Sequence, residues 1–354
     1  MPWNFSVCVG SVSGWVAKYL ITVGMKALFG LVVVVLISGL GWFLLRQPET
    51  ASDMVPKEGA KVSVVATFYP LADFARNVGG SYVDVVSVVP AGVEPHDYEP
   101  TPQDILKAYE ADIFLINGAG FDAWAEKIRP ELEARGVKVL QMSELVTLLP
   151  GSHEEHEEHE EHEEHEAEQG MHEEEHEESQ YDPHFWLDPV LAEKQVETIA
   201  AALGERDLLH QAEYMKQSGL YLSKLQALDA TYRSSLTACR LDTVVTSHNA
   251  FAYLAKRYNF TTLSVAGLSP EAEASSRHLA EIATLVKQKG IKHIFFETLV
   301  SPKVAETLAK EVGATTLVFN PIEGITDEER SAGMDYLAIM KSNLESLKIA
   351  RQCQ

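Results

Sequence analysis

From Lys61 onward the chain alternates short β-branched apolar runs with helix-patterned stretches, and it completes that alternation twice. The first set is "KVSVVATF" (61–68), "VDVVSVV" (83–89), "ADIFLIN" (111–117) and "VKVLQM" (137–142). The second is "DTVVTS" (242–247), "TTLSVAG" (261–267), "IKHIFF" (291–296) and "TTLVFN" (315–320). Runs this apolar, separated by helices, need cover on both faces, which a parallel sheet between helix layers provides. The expected fold is α/β, with two lobes, each a mainly parallel sheet flanked by helices.

Between the two sets, "VLAEKQVETIAAAL" (190–203) reads as a helix. Arg206 to Ala238 follows as a polar, proline-free stretch in which Leu222, Leu225 and Leu228 recur near Tyr221 and Tyr232. It is expected to form one long helix joining the lobes. The organisation is then a first lobe over 61–205, a linking helix over 206–238 and a second lobe over 239–354. Further helices are expected near 71–78, 101–110, 250–258, 271–289, 302–312 and 327–350.

The first lobe is interrupted at 152–178 by "HEEHEEHEEHEEHEAEQGMHEEEHEE", which begins at His153. Seven of the chain's 13 histidines lie here beside 15 glutamates, too little apolar surface for a core. Imidazole every three residues is metal-binding composition, read either as a low-affinity collector or as a solvated acidic loop. The formal net charge is −23, and the insert supplies −15 of it, leaving −8 elsewhere. Such a chain has no basic surface for phosphate backbones, so nucleic acid is excluded as a partner.

Ala27 to Leu45 carries no charge over 19 residues. As a helix it would be roughly 28 Å long, enough to cross a bilayer. Lys18 and Lys26 precede it, while Glu49 and Asp53 follow, which points the body of the protein out of the cytoplasm. It is expected as an uncleaved membrane anchor, with a removed signal sequence as the alternative. Met25-Lys26 is itself a good signal start, so 1–26 reads as a tail or a start-site artefact, and 46–60 as a polar linker. Outside the cytoplasm, Cys239 and Cys353 can form a disulfide, with two buried thiols as the other possibility.

The polar residues cluster at strand ends. His96 in "PAGVEPHDYEP" lies past the second run, His184 in "YDPHFWLDP", and His248 in "VTSHNAFAYLAKRY" directly after a run. Glu297 ends "IFFE", and Asn320 and Glu323 lie in "VFNPIEG". Open parallel sheets bind ligands beyond the carboxyl ends of their strands. His210, His278 and His293 lie outside these motifs and read as surface or core residues.

"GVEPHDYEPTPQDI", "DPHFWLDP", "TSHNAFAYLAKRYNF" and "FFETLVSPKVAETLAKEVGA…NPIEG", in this order, resemble the zinc/manganese substrate-binding proteins of metal ABC transporters. The resemblance covers about 61–354 apart from the insert. It implies two α/β lobes joined by one long helix, metal in the cleft between them, and His96, His184 and His248 as ligands. Glu323 is the expected fourth ligand; Glu297, Asn320 and water are the alternatives, and Glu297 can also orient an imidazole. Manganese-selective relatives tend to carry Glu at the third position, where this chain has His248. Three imidazoles and one carboxylate suit four-coordinate Zn2+ better than Mn2+. The implied function is delivery of Zn2+, outside the cytoplasm, to a permease and its ATPase, by a monomer held at the membrane through its N-terminal segment. A manganese binder and an extracellular zinc store are the alternatives. A zinc hydrolase is the rival class, but outside the His/Glu repeat neither HExxH nor a serine nucleophile elbow occurs, so no enzymatic activity is expected.

Overall fold

The structure, a computed structural model, describes residues 61–151, 180–272 and 274–354. The candidate membrane segment at 27–45 and the His/Glu stretch at 152–178 lie outside the described residues.

Strands β1 (Val62–Ala66), β2 (Val83–Ser87), β3 (Ile113–Ile116) and β4 (Lys138–Gln141) form one all-parallel sheet in the order β2-β1-β3-β4. Strands β5 (Thr243–Thr246), β6 (Thr261–Ser264), β7 (His293–Phe296) and β8 (Thr315–Val318) repeat that order as β6-β5-β7-β8. The central strands β3 and β5 are buried along their whole length, as continuous apolar runs require. Edge strands β2, β6 and β8 are only partly covered, because each lacks a neighbour on one side. In each sheet the order reverses beside the first strand, between β1 and β3 and between β5 and β7. Loops leaving neighbouring strands diverge there and open a crevice at the carboxyl ends.

Five of the ten helices among the described residues start at a side-chain cap. In order the helices are α1 (Tyr69–Gly79), α2 (Pro102–Tyr109), α3 (Ala123–Ala134) and α4 (Pro189–Arg206) in the first half. The long α5 (Gln211–Ser235) follows, then α6 (Ala252–Tyr258), α7 (Ser276–Lys289), α8 (Lys303–Val312), α9 (Asp327–Ser331) and α10 (Tyr336–Arg351). Thr101 opens α2 with a capping box to Asp104, and Asp188 caps α4 ahead of Pro189.

Local side-chain acceptors move three helix boundaries from their expected places. Arg206 ends α4, and α5 starts only at Gln211, because the Asp207 carboxylate gathers His210 Nδ1 at 2.6 Å and the Tyr214 hydroxyl at 2.9 Å into a turn. Helix α7 begins at Ser276, not 271, since Ser275 Oγ accepts from the His278 amide. The stretch 327–350 is two helices. Gly333 turns the chain at φ 71°, and Asp335 caps a new start by accepting from the Ala338 amide at 2.7 Å.

Helix α5 buries Tyr214, Ser218, Tyr221, Leu225, Leu228 and Tyr232, a stripe at alternating spacings of four and three; Leu222 is only half-buried. The stripe touches both halves of the chain. Tyr221 donates to Asp73 on α1 at 3.2 Å, and Tyr232 donates to the Met340 carbonyl on α10 at 2.6 Å.

Cys239 and Cys353 are bonded, pinning the C-terminus beside the entry to β5 across 114 positions of sequence. The chain-entropy model assigns a loop of that length roughly 4–5 kcal/mol, an upper figure where the unfolded chain keeps structure. Urea unfolding of a Cys239→Ser, Cys353→Ser variant should show a clearly lower midpoint than the parent, and thiol counting in denaturant should find neither cysteine free before reduction. An unchanged midpoint would show that the bond adds nothing to stability.

Candidate metal centre

Four loops converge at the carboxyl ends of the two sheets. The loop after β2 brings His96, the segment before α4 brings His184, the end of β5 brings His248, and the loop after β8 brings Glu323. One donor atom from each lies within 4.8 Å of the other three. The Glu323 carboxylate is 3.0 Å from His248 Nε2 and 3.3 Å from both His96 Nε2 and His184 Nε2. His184 Nε2 is 3.2 Å from His96 Nε2 and 3.4 Å from His248 Nε2. His184, His248 and Glu323 are almost completely buried, while the His96 side chain stays 9% exposed and marks the solvent side.

Two of the imidazoles are aimed by a carboxylate behind them, and the third histidine is held through its backbone amide. Asp182 accepts from both the His184 amide at 2.9 Å and Nδ1 at 2.8 Å. Glu297 does the same for His248, from the amide at 3.2 Å and Nδ1 at 2.7 Å. Glu94 accepts from the His96 amide at 2.9 Å. With the Nδ1 hydrogens of His184 and His248 held by carboxylates, both Nε2 atoms point inward, where a metal can replace any proton they carry.

Glu323 sits on a tightly determined loop. Ile322 has φ 58°, a left-handed conformation unfavourable for a β-branched residue, and its amide donates to Asn320 Oδ1 at 2.7 Å. Asn320 is fixed in turn by Asn343, Thr298 and Glu329. Trp186, two residues past His184, donates to the Pro321 carbonyl at 2.8 Å. Gly324 lets the two ligand loops meet: a Cβ there would come within 3.0 Å of Leu299 Cδ1 and 3.4 Å of the Val93 carbonyl, while the Gly92 amide bonds the Ile325 carbonyl at 2.9 Å. Phe121 stands edge-on to His96, with Phe68 and Trp186 packed behind it, so a hydrophobic wall backs the polar cluster.

The side chains weighed as the fourth donor take different places. Glu323 faces the Nε2 side of the imidazoles, Glu297 the Nδ1 side of His248, and the Asn320 amide holds the loop together. His210 bonds Asp207 and stacks on Tyr82, His278 Nε2 meets the Ser264 carbonyl, and His293 meets Thr315, all away from the cluster. Sequence reading passed over Glu94 and Asp182 as partners. Their signal was a carboxylate two residues before each loop histidine, in "EPH" and "DPH".

Burial disfavours charge throughout the cluster, and the neighbours decide which groups keep it. Burial alone would lower His248, but the Glu297 and Glu323 carboxylates outweigh it and raise its pKa well above the ordinary value. His184 is likewise raised, as Asp182 and Glu323 overcome burial. For His96 burial wins and the pKa falls. Glu323, although buried, is held well below the usual carboxylate range, with the His248 charge the largest stabilising influence. Burial, followed by repulsion from Glu323, pushes Glu94 up to about 9.

Two parallel-sheet lobes with one buried set of three imidazoles and a carboxylate between them define a protein of the two-lobe metal-binding class. The chain belongs to the ZnuA family, described as zinc-uptake complex component A, periplasmic, whose profile matches residues 64–350. It is 40% identical over 291 residues to the high-affinity zinc uptake system protein ZnuA of Bacillus subtilis, covering 82% of this chain and 88% of that one. It is 37% identical to the zinc-binding lipoprotein AdcA of Streptococcus pneumoniae, of which it spans 55%. The crystal structure of the Zn(II)-bound ZnuA-like domain of Streptococcus pneumoniae AdcA superposes with a TM-score of 0.69 at 34% identity, covering 82% of this chain and 99% of that one.

These charges give a prediction for the metal-free protein. A group whose folded pKa is raised contributes stability below its unfolded pKa and loses it as pH rises through the folded value; for a depressed group, stability is lost as pH falls through the folded value. The His248–Glu323 pair should thus be fully ionised from below pH 4.5 to above pH 6.5. Nitrogen-detected NMR of the imidazoles should show His248 doubly protonated above pH 6.5 and His96 neutral. Glu323→Gln should move the His248 titration down. A His248 that titrates at its ordinary value in the parent protein would contradict the assignment.

Proposed function

We propose that this chain is the zinc-binding component of an ABC-type importer, taking up Zn2+ outside the cytoplasm with high affinity and passing it to a permease driven by a cytoplasmic ATPase. The spacing of the four donor atoms carries the proposal. Zinc bonds of about 2.0–2.1 Å at tetrahedral angles set ligand atoms about 3.3 Å apart. Five of the six Nε2 and carboxylate oxygen separations here run from 3.0 to 3.4 Å, and all four donor atoms lie within 4.8 Å of one another. His96, His184, His248 and Glu323 act as the ligands, and Asp182 and Glu297 fix two of the imidazoles so that their Nε2 atoms already face the ion. Nitrogen-rich, four-coordinate donation favours zinc over manganese, which prefers more oxygens and a larger shell. The named functions of the Bacillus and Streptococcus relatives support the same choice.

Binding exchanges protons for metal. Zn2+ displaces the proton on His248 Nε2 and takes over the role of countercharge to Glu323. Four protein donors complete the shell and leave no open position for a water nucleophile, consistent with carriage of the ion as cargo. His96 and His184 come from the first sheet's side and His248 and Glu323 from the second, so separating the lobes splits the donor set and frees the ion for the permease. In this reading residues 27–45 hold the protein at the membrane or direct its export, and the His/Glu stretch collects zinc near the cleft.

Two measurements test the reading. His248→Ala should weaken Zn2+ by more than the roughly 10–100-fold that follows loss of an outer partner, and His248→Glu should shift preference toward Mn2+. Competition titrations against a chromophoric chelator read both; unchanged zinc affinity in His248→Ala would remove the assignment. Replacing 152–178 by a Gly/Ser linker should leave one tight zinc and abolish the weaker ones, which should also fade first as pH falls toward about 6, where exposed imidazoles protonate. Calorimetry at two pH values follows both effects. Loss of the tight site with the repeat would mark a zinc store instead.

A further inference from the structure

At the opposite end of the second lobe, by the amino ends of β5 and β6, lies a cleft of about 690 Å³. Its charged lining is Arg233, Arg240, Arg257, Lys289 and Arg351 against a single carboxylate, Asp242. That is an unusual concentration of cations in a chain of net charge −23. Local pairs account for three of them: Arg233 with Asp229 at 2.8 Å, Arg257 with Asp188, and Lys289 with Asp242 at 3.4 Å. The remaining two donate hydrogen bonds only to neutral groups, although the Asp242 charge also acts on Arg351. Arg240 Nη1 donates to Gln352 Oε1 at 3.1 Å, and Arg351 Nε donates to the Leu241 carbonyl at 3.0 Å with its guanidinium over the Phe260 ring.

Arg351 is the anomaly. It is only 4% exposed, it stays charged at any ordinary pH, and its Nη1 is buried without a hydrogen-bond partner. Leaving a charged donor unsatisfied in the interior is costly, and packing against Phe260 supplies no acceptor. Its position is nonetheless enforced. The disulfide joins Cys239 to Cys353 at an isolated antiparallel bridge, and the Leu241 amide bonds the Arg351 carbonyl at 3.0 Å where α10 ends, so Arg240 and Arg351 are both held at the wall of this cleft. Two guanidiniums and the Lys289 ammonium lining one cleft suit a tetrahedral oxyanion, and a cleft of this size admits a phosphate carried on a larger group.

We propose that this cleft is an oxyanion site that takes a phosphate group, either free or as the headgroup of an anionic lipid, with Arg351 and Arg240 as its principal donors. It is independent of the metal centre, which lies at the carboxyl ends of the same strands.

Calorimetry on the full-length, metal-free protein in a neutral detergent tests it. Inorganic phosphate and soluble dihexanoyl-phosphatidylglycerol are titrated separately. At least one should bind saturably at one per chain; the tighter of the two identifies the source. Arg240→Gln and Lys289→Gln, both at exposed positions and so expected to fold, should each weaken binding by about tenfold, the scale of one charge-assisted contact. Both should keep parental zinc affinity. Arg135→Gln, an exposed arginine paired with Glu131 in the first lobe, is the control and should bind the anion like the parent. No saturable binding of either probe, parental affinity in both cleft variants, or an equal loss in the control would overturn the proposal.

Discussion

A single buried carboxylate organises this molecule. Glu323 is 1% exposed, and an isolated ionised carboxylate at such a depth is far too costly to persist. It is stabilised because three imidazoles surround it and because Glu297, behind one of them, favours a protonated His248 as its countercharge. Removing the countercharge would leave Glu323 stranded, and removing Glu323 would leave three crowded imidazole nitrogens with no carboxylate among them. The cluster is poised for a cation by the same electrostatics that make it expensive to bury.

Holding that arrangement requires agreement between distant parts of the chain. Trp186 donates to the loop that carries Glu323, and the Trp186 carbonyl accepts from the Tyr336 hydroxyl at 2.6 Å. Tyr253 donates to the Asp182 carbonyl, just behind the carboxylate that orients His184, while Tyr221 and Tyr232 tie α5 to α1 and α10. These are hydroxyl bonds from rigid aromatic bodies, so they set distance as well as affinity. The left-handed backbone at Ile322 is tolerated in that context, with Asn320 and its three partners fixing the turn.

The second sheet separates opposite chemistries at its two ends. Imidazole and carboxylate gather at the carboxyl ends of β5 and β7, where strand order reverses and loops part. Guanidinium and ammonium gather at the amino ends, around the disulfide. Keeping strong positive charge that far from the metal centre spares an incoming dication the repulsion it would otherwise meet in a low-dielectric cleft.

The sequence by itself determined the α/β class, the two four-strand sets and the place of the three loop histidines, because apolar runs mark the strands and parallel sheets put function at their carboxyl ends. It carried the family as well, through motifs that stand in order along the chain. It favoured Glu323 over Glu297 on motif alone. Both follow strands, and they differ only in which face of His248 they meet, a matter of how two loops fold back in three dimensions. Nor did periodicity foresee the breaks at Asp207 and Asp335, where one side-chain acceptor outcompetes helical continuation, or the work of Glu94 and Asp182, which looks like ordinary loop polarity until the amides they bind are seen. The meeting of Arg240 and Arg351 at one cleft was invisible for the same reason: about 110 residues separate them, and only the tertiary structure, closed by the Cys239–Cys353 bond, brings them together.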